Sequence, residues 1–285
     1  MPRVTVGLPF HGEERHLADA IRSVLAQTVT DFELLLVDDG SPDASLAVAR
    51  SFDDPRIVVI ADGVRRHLPA RLNEIVRRAR SPFVARMDAD DVMHPTRLER
   101  QLALLEARPT CDVVGTWAGL VDGQGELFAV AESARMPPTP RDALVRGVMA
   151  HATIMARTAW FVANPYDETL TRTEDRDLWV RTAGTSEFAV IPECLYVVRV
   201  DVDKRSFVEG YIESQRQHER IIAKYGPAIV GRLETIRLEA AARAKSAIMR
   251  SLARAGLADR LVRRRGRAPT EQERKLVGEA LAHRA

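Results

Sequence analysis

FELLLVDDG (32–40) and FVARMDADD (83–91) decide the fold of this 285-residue chain. Each is a short apolar run that closes on carboxylates. A continuous run of this kind reads as a strand buried on both faces, as in a parallel sheet. VTVGLPF (4–10) is a further buried strand candidate, and RIVVIAD (56–62) reads as a strand. Between them lie helical patterns at 16–27, with apolar Leu17, Ile21, Val24 and Leu25, at about 43–51, and at 68–80. Strand–helix alternation implies parallel pairing and a doubly wound sheet with right-handed crossovers. The expected class is therefore α/β, a Rossmann-like sheet flanked by helices.

In such open sheets ligands bind beyond the carboxyl ends of the strands. His11, Gly12 and Glu13 follow the first strand, Asp38 and Asp39 the second, and Asp88 to Asp91 the fourth. These clusters are expected on one rim. If 83–91 is strand throughout, Asp88 and Asp90 point to one face. Two close carboxylates repel unless a cation neutralises them, and hard Mg²⁺ or Mn²⁺ takes oxygen ligands while bridging substrate phosphates. The competing reading is a loop that caps the helix beginning near Pro95. A third acidic cluster, Glu174, Asp175 and Asp177, precedes a helix, where acids also occur simply to match the helix dipole.

The second half is less regular. CDVVGTWAGLVD (111–122) leads through Gly123 and Gly125 into a hairpin, and MPPTP (136–140) reads as a turn. From about 207 the pattern is helical. Over 228–255 the apolar positions Ile229, Leu233, Ile236, Ala240, Ala244 and Ile248 predict a packed face. Gly256 is read as ending that helix, and Thr270 with Glu273 as the capping box of the last one. A boundary near 205 separates a 1–205 body, divided at about 110, from a 206–285 extension.

Charge follows the same division. Residues 232–285 carry 14 basic and 6 acidic residues, a net +8, leaving 28 basic and 34 acidic residues, a net −6, in 1–231. The basic extension reads either as a solvated helical face or as a contact for an anionic partner. Arg263, Arg264 and Arg265 are its candidate lipid-headgroup residues. No nucleic-acid partner is expected, because interleaved aromatics are lacking there. Cys111 and Cys194 have no metal-like spacing and are expected reduced and buried. No apolar stretch approaches a bilayer span, and MPRVTVGLPF (1–10) runs straight into a strand without a leader pattern. The expectation is a cytoplasmic chain, with peripheral contact on the inner membrane face through its basic helices.

Four ordered blocks resemble the inverting family 2 glycosyltransferases, whose nucleotide-diphospho-sugar fold is called GT-A. They are VTVGLPFHGEERHLADAIRSVLAQT (4–28), DFELLLVDDGSPD (31–43), ARLNEIVRRARSPFVARMDADDVMHPTRLERQ (70–101) and YDETLTRTEDRDLWVR (166–181). The resemblance covers roughly residues 3–205. It implies a metal-dependent transfer of one sugar from a nucleotide-sugar, UDP-sugar favoured, to an acceptor hydroxyl of a glycan or lipid-linked chain. Pro9, His11 and Glu13 are implied at the base pocket, with Asp39 on the base and Arg71 and Asn73 at the base or phosphates. Asp88 and Asp90 match the DXD pair, Asp88 nearer the ribose and Asp90 on Mn²⁺ or Mg²⁺. Asp91 is a further carboxylate. Asp175 is implied as the general base, with Glu174, Trp179 and His151 about the acceptor or sugar. His151 lies in AHATIMAR (150–157), which matches a block often written HPTVMFR.

Two departures stand out. The family's YRxH is replaced by YVVRVDVDKRS (196–206), with Arg199 kept and Asp201 near the histidine position. The QxxRW block of processive synthases is absent, as are transmembrane helices after the catalytic blocks. Two rival classes keep a place: a sugar nucleotidyltransferase and a catalytically degenerate sugar-binding module. The first needs a Gly- and Arg/Lys-rich loop after strand one, which LPFHGEERHL (8–17) lacks. A dinucleotide oxidoreductase needs GxGxxG at that same turn, also lacking.

Overall fold

The computed structural model describes residues 1–133, 136–200, 205–255 and 266–282. The first half alternates as the apolar runs demand: β1 (Val4–Phe10), α1 (Leu17–Leu25), β2 (Phe32–Asp38), α2 (Ser45–Arg50), β3 (Ile57–Ala61), α3 (Leu68–Arg78) and β4 (Phe83–Arg86). Every residue of β1, β2 and β4 is buried. β1 pairs in parallel with β2 and β4, and β2 with β3. Leu17, Ala20, Ile21 and Val24 of α1 supply the helical stripe that covers this sheet.

β4 stops at Arg86, so the acidic run is not strand. Asp88 donates its backbone N–H to the buried Tyr196 hydroxyl instead of to a neighbouring strand (3.0 Å). Its carboxylate turns back onto Arg86. A two-residue β5 (Val92–Met93) then pairs antiparallel with the strand segment at Tyr196 and Val197. The same-face argument for Asp88 and Asp90 therefore fails: they occupy a turn, because consecutive carboxylates are poor members of a buried ladder.

The rest of the chain builds a mixed sheet. α4 (Arg97–Ala107) leads to β6 (Val113–Val121) and β7 (Leu127–Ala131), the expected hairpin. After α5 (Pro140–Arg146) come β8 (Met155–Arg157), α6 (Thr158–Ala163), α7 (Glu174–Thr182) and β9 (Phe188–Arg199). The nine strands run β3-β2-β1-β4-β8-β6-β9-β5, with β7 on β6. β8 is antiparallel to both β4 and β6, which joins the parallel half to the irregular one.

α8 (Arg205–Ile229) and α9 (Arg232–Arg254) form a helical hairpin about Gly231, whose φ of +82° suits a residue without Cβ. Glu219 and Arg243 pair across it. The segment read as one helix over 228–255 is thus broken at Val230–Gly231. Its packing is corrected too. Thr235, Ala242, Ser246 and Met249 are buried, whereas Leu233, Ile236 and Ile248 of the expected apolar face are exposed. The hairpin buries the face complementary to α8, where a small Thr235 side chain meets Gly226; apolarity alone did not select it. The last helix, α10 (Glu271–Ala282), carries the expected capping box: Glu273 N–H donates to Thr270 Oγ1 (3.3 Å) and Thr270 N–H to Glu273 (2.8 Å). Val277 and Ala280 seat it on Val92, Val121 and Cys194. Both cysteines are free and buried. No described helix is long and apolar enough to cross a membrane. Arg263, Arg264, Arg265 and Gly256 lie outside the described residues.

Candidate active site

A cavity of about 540 Å³ opens beyond the carboxyl ends of β1 and β2. Pro9 and His11 line it from β1, and Asp39 from β2. Arg65, His67 and Arg71 come from the entry to α3, Arg172, Thr173 and Glu174 from the entry to α7, and Ser214 from α8. α8 starts at the boundary placed near 205, and its Gln217 accepts the Arg172 backbone N–H (2.9 Å). His67 (φ +67°) and Thr173 (φ +76°) are the two non-glycine residues with left-handed backbone among the described residues. Both border this cavity. Such conformations cost about 1–3 kcal/mol each and gather at functional sites.

Asp39 forms the floor. Its carboxylate accepts the backbone N–H groups of Arg66 (2.6 Å) and His67 (3.0 Å) and the Arg71 Nε–H (3.0 Å). His11 Nδ1 lies 3.0 Å from the Asp39 carbonyl oxygen. Arg71, expected to reach a base or phosphates, is fully buried and fully engaged. Its five N–H donors meet Asp39, Asp62 twice, Glu74 and the Val64 carbonyl. Burial opposes its charge, yet Asp62, Glu74 and Asp39 hold its pKa above the usual range. It braces the wall and keeps no donor for a ligand. Asn73 faces the other way: its amide donates to the Tyr166 carbonyl (3.0 Å) and to Glu168 (2.9 Å), and its oxygen accepts the Tyr166 N–H. It pins the 165–168 loop instead of lining the cavity. Glu13 likewise lies off the lining, its backbone N–H on Ser45 Oγ (2.8 Å).

The acidic turn sits at the end of β4. Arg86 grips Asp88 with both terminal nitrogens, at 2.6 and 2.9 Å. Burial, then the neighbouring Asp88, pushes the Asp90 carboxyl up to about 6. Burial followed by Asp90 and Asp88 also raises Asp91, which accepts the Arg199 backbone N–H (3.0 Å). Arg199 itself holds Asp19 of α1 at 2.6 Å, so it supports the turn from behind. Asp201 lies outside the described residues. No group of three or more histidine, cysteine or acidic side chains is placed to cage a metal among the described residues. The donor set still fits a hard cation held by one carboxylate plus phosphate oxygens. Asp90 has no hydrogen bond or ion pair to a basic side chain among the described residues, whereas Asp88 is committed to Arg86.

α7 brings the second acidic group. Asp175, half-buried, sits in the first turn, where the helix dipole favours negative charge. Glu174 is buried beside it, and burial, then the Asp175 charge, raises its carboxyl to about 7. His151 stands behind Glu174, its Nδ1 at 3.6 Å from the carboxylate and its Nε2 at 2.8 Å from the Tyr166 hydroxyl. Burial and then Arg86 lower the His151 pKa well below the ordinary value. Trp179 is wholly buried, edge-on to Phe188 and His151 at centroid distances of 5.7 and 6.0 Å. Trp179, expected about the acceptor or sugar, is enclosed: on a helix entering the core, this ring packs the protein interior.

Two residues escaped the sequence reading. Arg86 carries charge within reach of Asp88, Asp90, Glu174, His151 and Tyr166, and so links the acidic turn to α7. A charged residue inside an otherwise apolar buried strand was its signal. Arg172 lines the cavity with no ion pair among the described residues. It lies across Gly210 of α8, where a Cβ would come within 2.8 Å of its Nη1.

Residues 5–160 match the family model described as Glycosyl transferase family 2. The chain belongs to that family. Among relatives, it is 34% identical over 223 residues to the putative glycosyltransferase EpsE of Bacillus subtilis, covering 72% of this chain and 77% of that one. It is 27% identical to the uncharacterized glycosyltransferase MJ1057 of Methanocaldococcus jannaschii, over 70% and 71% of the two chains. The fold is shared with the Staphylococcus aureus TarS 1–349 fragment in complex with UDP-GlcNAc, at a TM-score of 0.60 and 18% identity, over 78% of this chain and 66% of that one. The full TarS chain is longer, and this chain spans 40% of it. Mannosyltransferase PcManGT of Pyrobaculum calidifontis, in complex with GDP-Man and Mn²⁺, matches over 99% of this chain and 85% of its own at a TM-score of 0.60 and 18% identity. This family 2 chain is a glycosyltransferase of GT-A fold.

Proposed function

We propose that this family 2 enzyme moves one sugar, with inversion, from a nucleoside-diphosphate sugar to an acceptor hydroxyl in cell-surface glycan synthesis. A UDP-sugar is the favoured donor. One observation carries this reading: Asp39 and Glu174 line one cavity, Glu174 lies within electrostatic reach of Asp175 and Asp88, and Asp88 within reach of Asp90.

In this reading Pro9 and His11 wall the base. Asp39 already accepts three donors, and a carboxylate with about four lone-pair directions keeps one for a base N–H. Arg172 and Arg65 face the diphosphate. Asp88, fixed by Arg86, serves the ribose, and Asp90 would hold Mn²⁺ or Mg²⁺, which would supply charge neutralisation at the diphosphate. Asp175 removes the proton from the acceptor hydroxyl, which attacks the anomeric carbon from the face opposite the leaving group. Glu174, its carboxyl raised to about 7 chiefly by burial, borders the acceptor beside Asp175. His151 shapes that border through Glu174. The Asp201 position keeps no assigned role.

The test is Asp175→Asn. Nucleoside-diphosphate affinity is expected to persist, while turnover falls by at least ~10²–10⁴, the usual worth of a general base. Equal loss of binding and turnover would place Asp175 in the donor site instead. If the wild type binds nucleotide yet turns over no UDP-, GDP- or dTDP-sugar, the degenerate binding module is favoured.

A further inference from the structure

α9 presents two opposed faces. Thr235, Ala242, Ser246 and Met249 are buried toward α8. On the opposite side Leu233, Ile236, Ala240, Ala244, Ala247 and Ile248 recur at helical spacing, and all are exposed. Leu233, Ile236 and Ile248 are 66%, 62% and 54% exposed. Scattered surface hydrophobics need no explanation, but an outward stripe along one helix does.

The charges around the stripe choose its partner. Arg232, Arg243, Arg250 and Arg254 flank it on one side. From Ala240 to Arg254 the helix has four basic residues and no acidic one. Lys245, Arg250 and Arg254 make no ion pair among the described residues. An apolar stripe edged with arginine is the composition of a helix that lies in a lipid headgroup layer. A second copy fits poorly, since a two-fold contact would set this basic face against itself. The division of charge also orients the molecule. Residues 232–285 are at +8 and 1–231 at −6, so an anionic surface attracts the extension and repels the body.

We propose that the outward face of α9 docks on an anionic lipid surface. Leu233, Ile236 and Ile248 enter the headgroup boundary, and Arg250 and Arg254 bind lipid phosphates. α8, whose Ser214 lines the donor cavity, is the layer directly beneath α9. Helix axes pack about 8–10 Å apart, so docking holds the cavity one helix layer from lipid.

The experiment uses the full chain with vesicles of phosphatidylcholine alone or mixed with phosphatidylglycerol, followed by co-sedimentation and gel filtration with light scattering. The wild type is expected to sediment with the anionic vesicles only, and to be released by salt. Leu233→Ser/Ile236→Ser/Ile248→Ser and Arg250→Glu/Arg254→Glu should each bind about tenfold more weakly or less, with unchanged thermal melting because these side chains are exposed. Wild type that ignores anionic vesicles overturns the proposal, and this arm needs no variant. So does undiminished binding of both folded variants. A wild-type dimer that the serine variant converts to monomer assigns the face to a second copy and overturns it as well.

Discussion

Arg86 Nη2 and Nη1 stand 2.6 and 2.9 Å from the two oxygens of Asp88, a forked ion pair at the last residue of β4. It ends the strand and fixes the first carboxylate of the acidic turn. It also sets a buried positive charge between that turn and Glu174. The planar fork is specific to arginine.

Arg86→Met should therefore destabilise the fold by about 1–3 kcal/mol, the usual cost of leaving a partly buried charged group without its partner. Arg86→Lys keeps charge but not the fork, and should fall between. Urea unfolding checks both. A change under 1 kcal/mol for Arg86→Met would remove the pair from the account.

Arg71 and Arg172 border the same cavity with opposite duties. Arg71→Ala strands Asp39, Asp62 and Glu74, and should lower the melting temperature by several degrees. Arg172→Ala should leave melting unchanged while weakening UDP, but not uridine, by about tenfold, the worth of a charge-assisted hydrogen bond. Gly210→Val, which crowds the Arg172 guanidinium, should give the same binding defect. Calorimetric titration separates these cases, and intact UDP affinity in Arg172→Ala would refute the assignment.

Glu174 makes stability depend on pH. Its carboxyl rises from 4.5 to about 7 on folding, chiefly through burial. A raised carboxyl contributes stability at pH below 4.5, and that contribution is lost as pH rises through about 7. Glu174→Gln mimics the protonated form. In EDTA its melting temperature should match wild type near pH 4.5 and exceed it by a few degrees at pH 8. Parallel curves across that range would show that Glu174 does not titrate there.

Trp179→Ala should cost about 3–5 kcal/mol as a large core deletion. In the folded fraction the KM for acceptor should be unchanged. A raised acceptor KM with normal stability would place Trp179 at the acceptor or sugar.

The parallel half was legible because β1, β2 and β4 are buried on both faces and read as unbroken apolar runs, as in FELLLVD of β2, while edge strand β3 is partly exposed. The cavity positions of His11 and Asp39 followed from strand ends. What failed depended on partners distant in sequence. β4 ends early because Tyr196, more than a hundred residues on, takes the Asp88 N–H. Arg71 has no free donor because Asp62 and Glu74 meet it in space. Trp179 is interior because Phe188 and His151 enclose it. In α9 apolarity pointed to Leu233, Ile236 and Ile248, but the close approach at Gly226 selected the face with Thr235.

The most direct measurement is thermal-shift binding of UDP, GDP, dTDP and CDP, with and without Mn²⁺, on wild type and Asp90→Ala. A shift is expected for one nucleotide, UDP first, that needs Mn²⁺ and disappears in Asp90→Ala. A shift that survives both EDTA and the Asp90→Ala substitution would contradict a metal-assisted diphosphate site on the acidic turn.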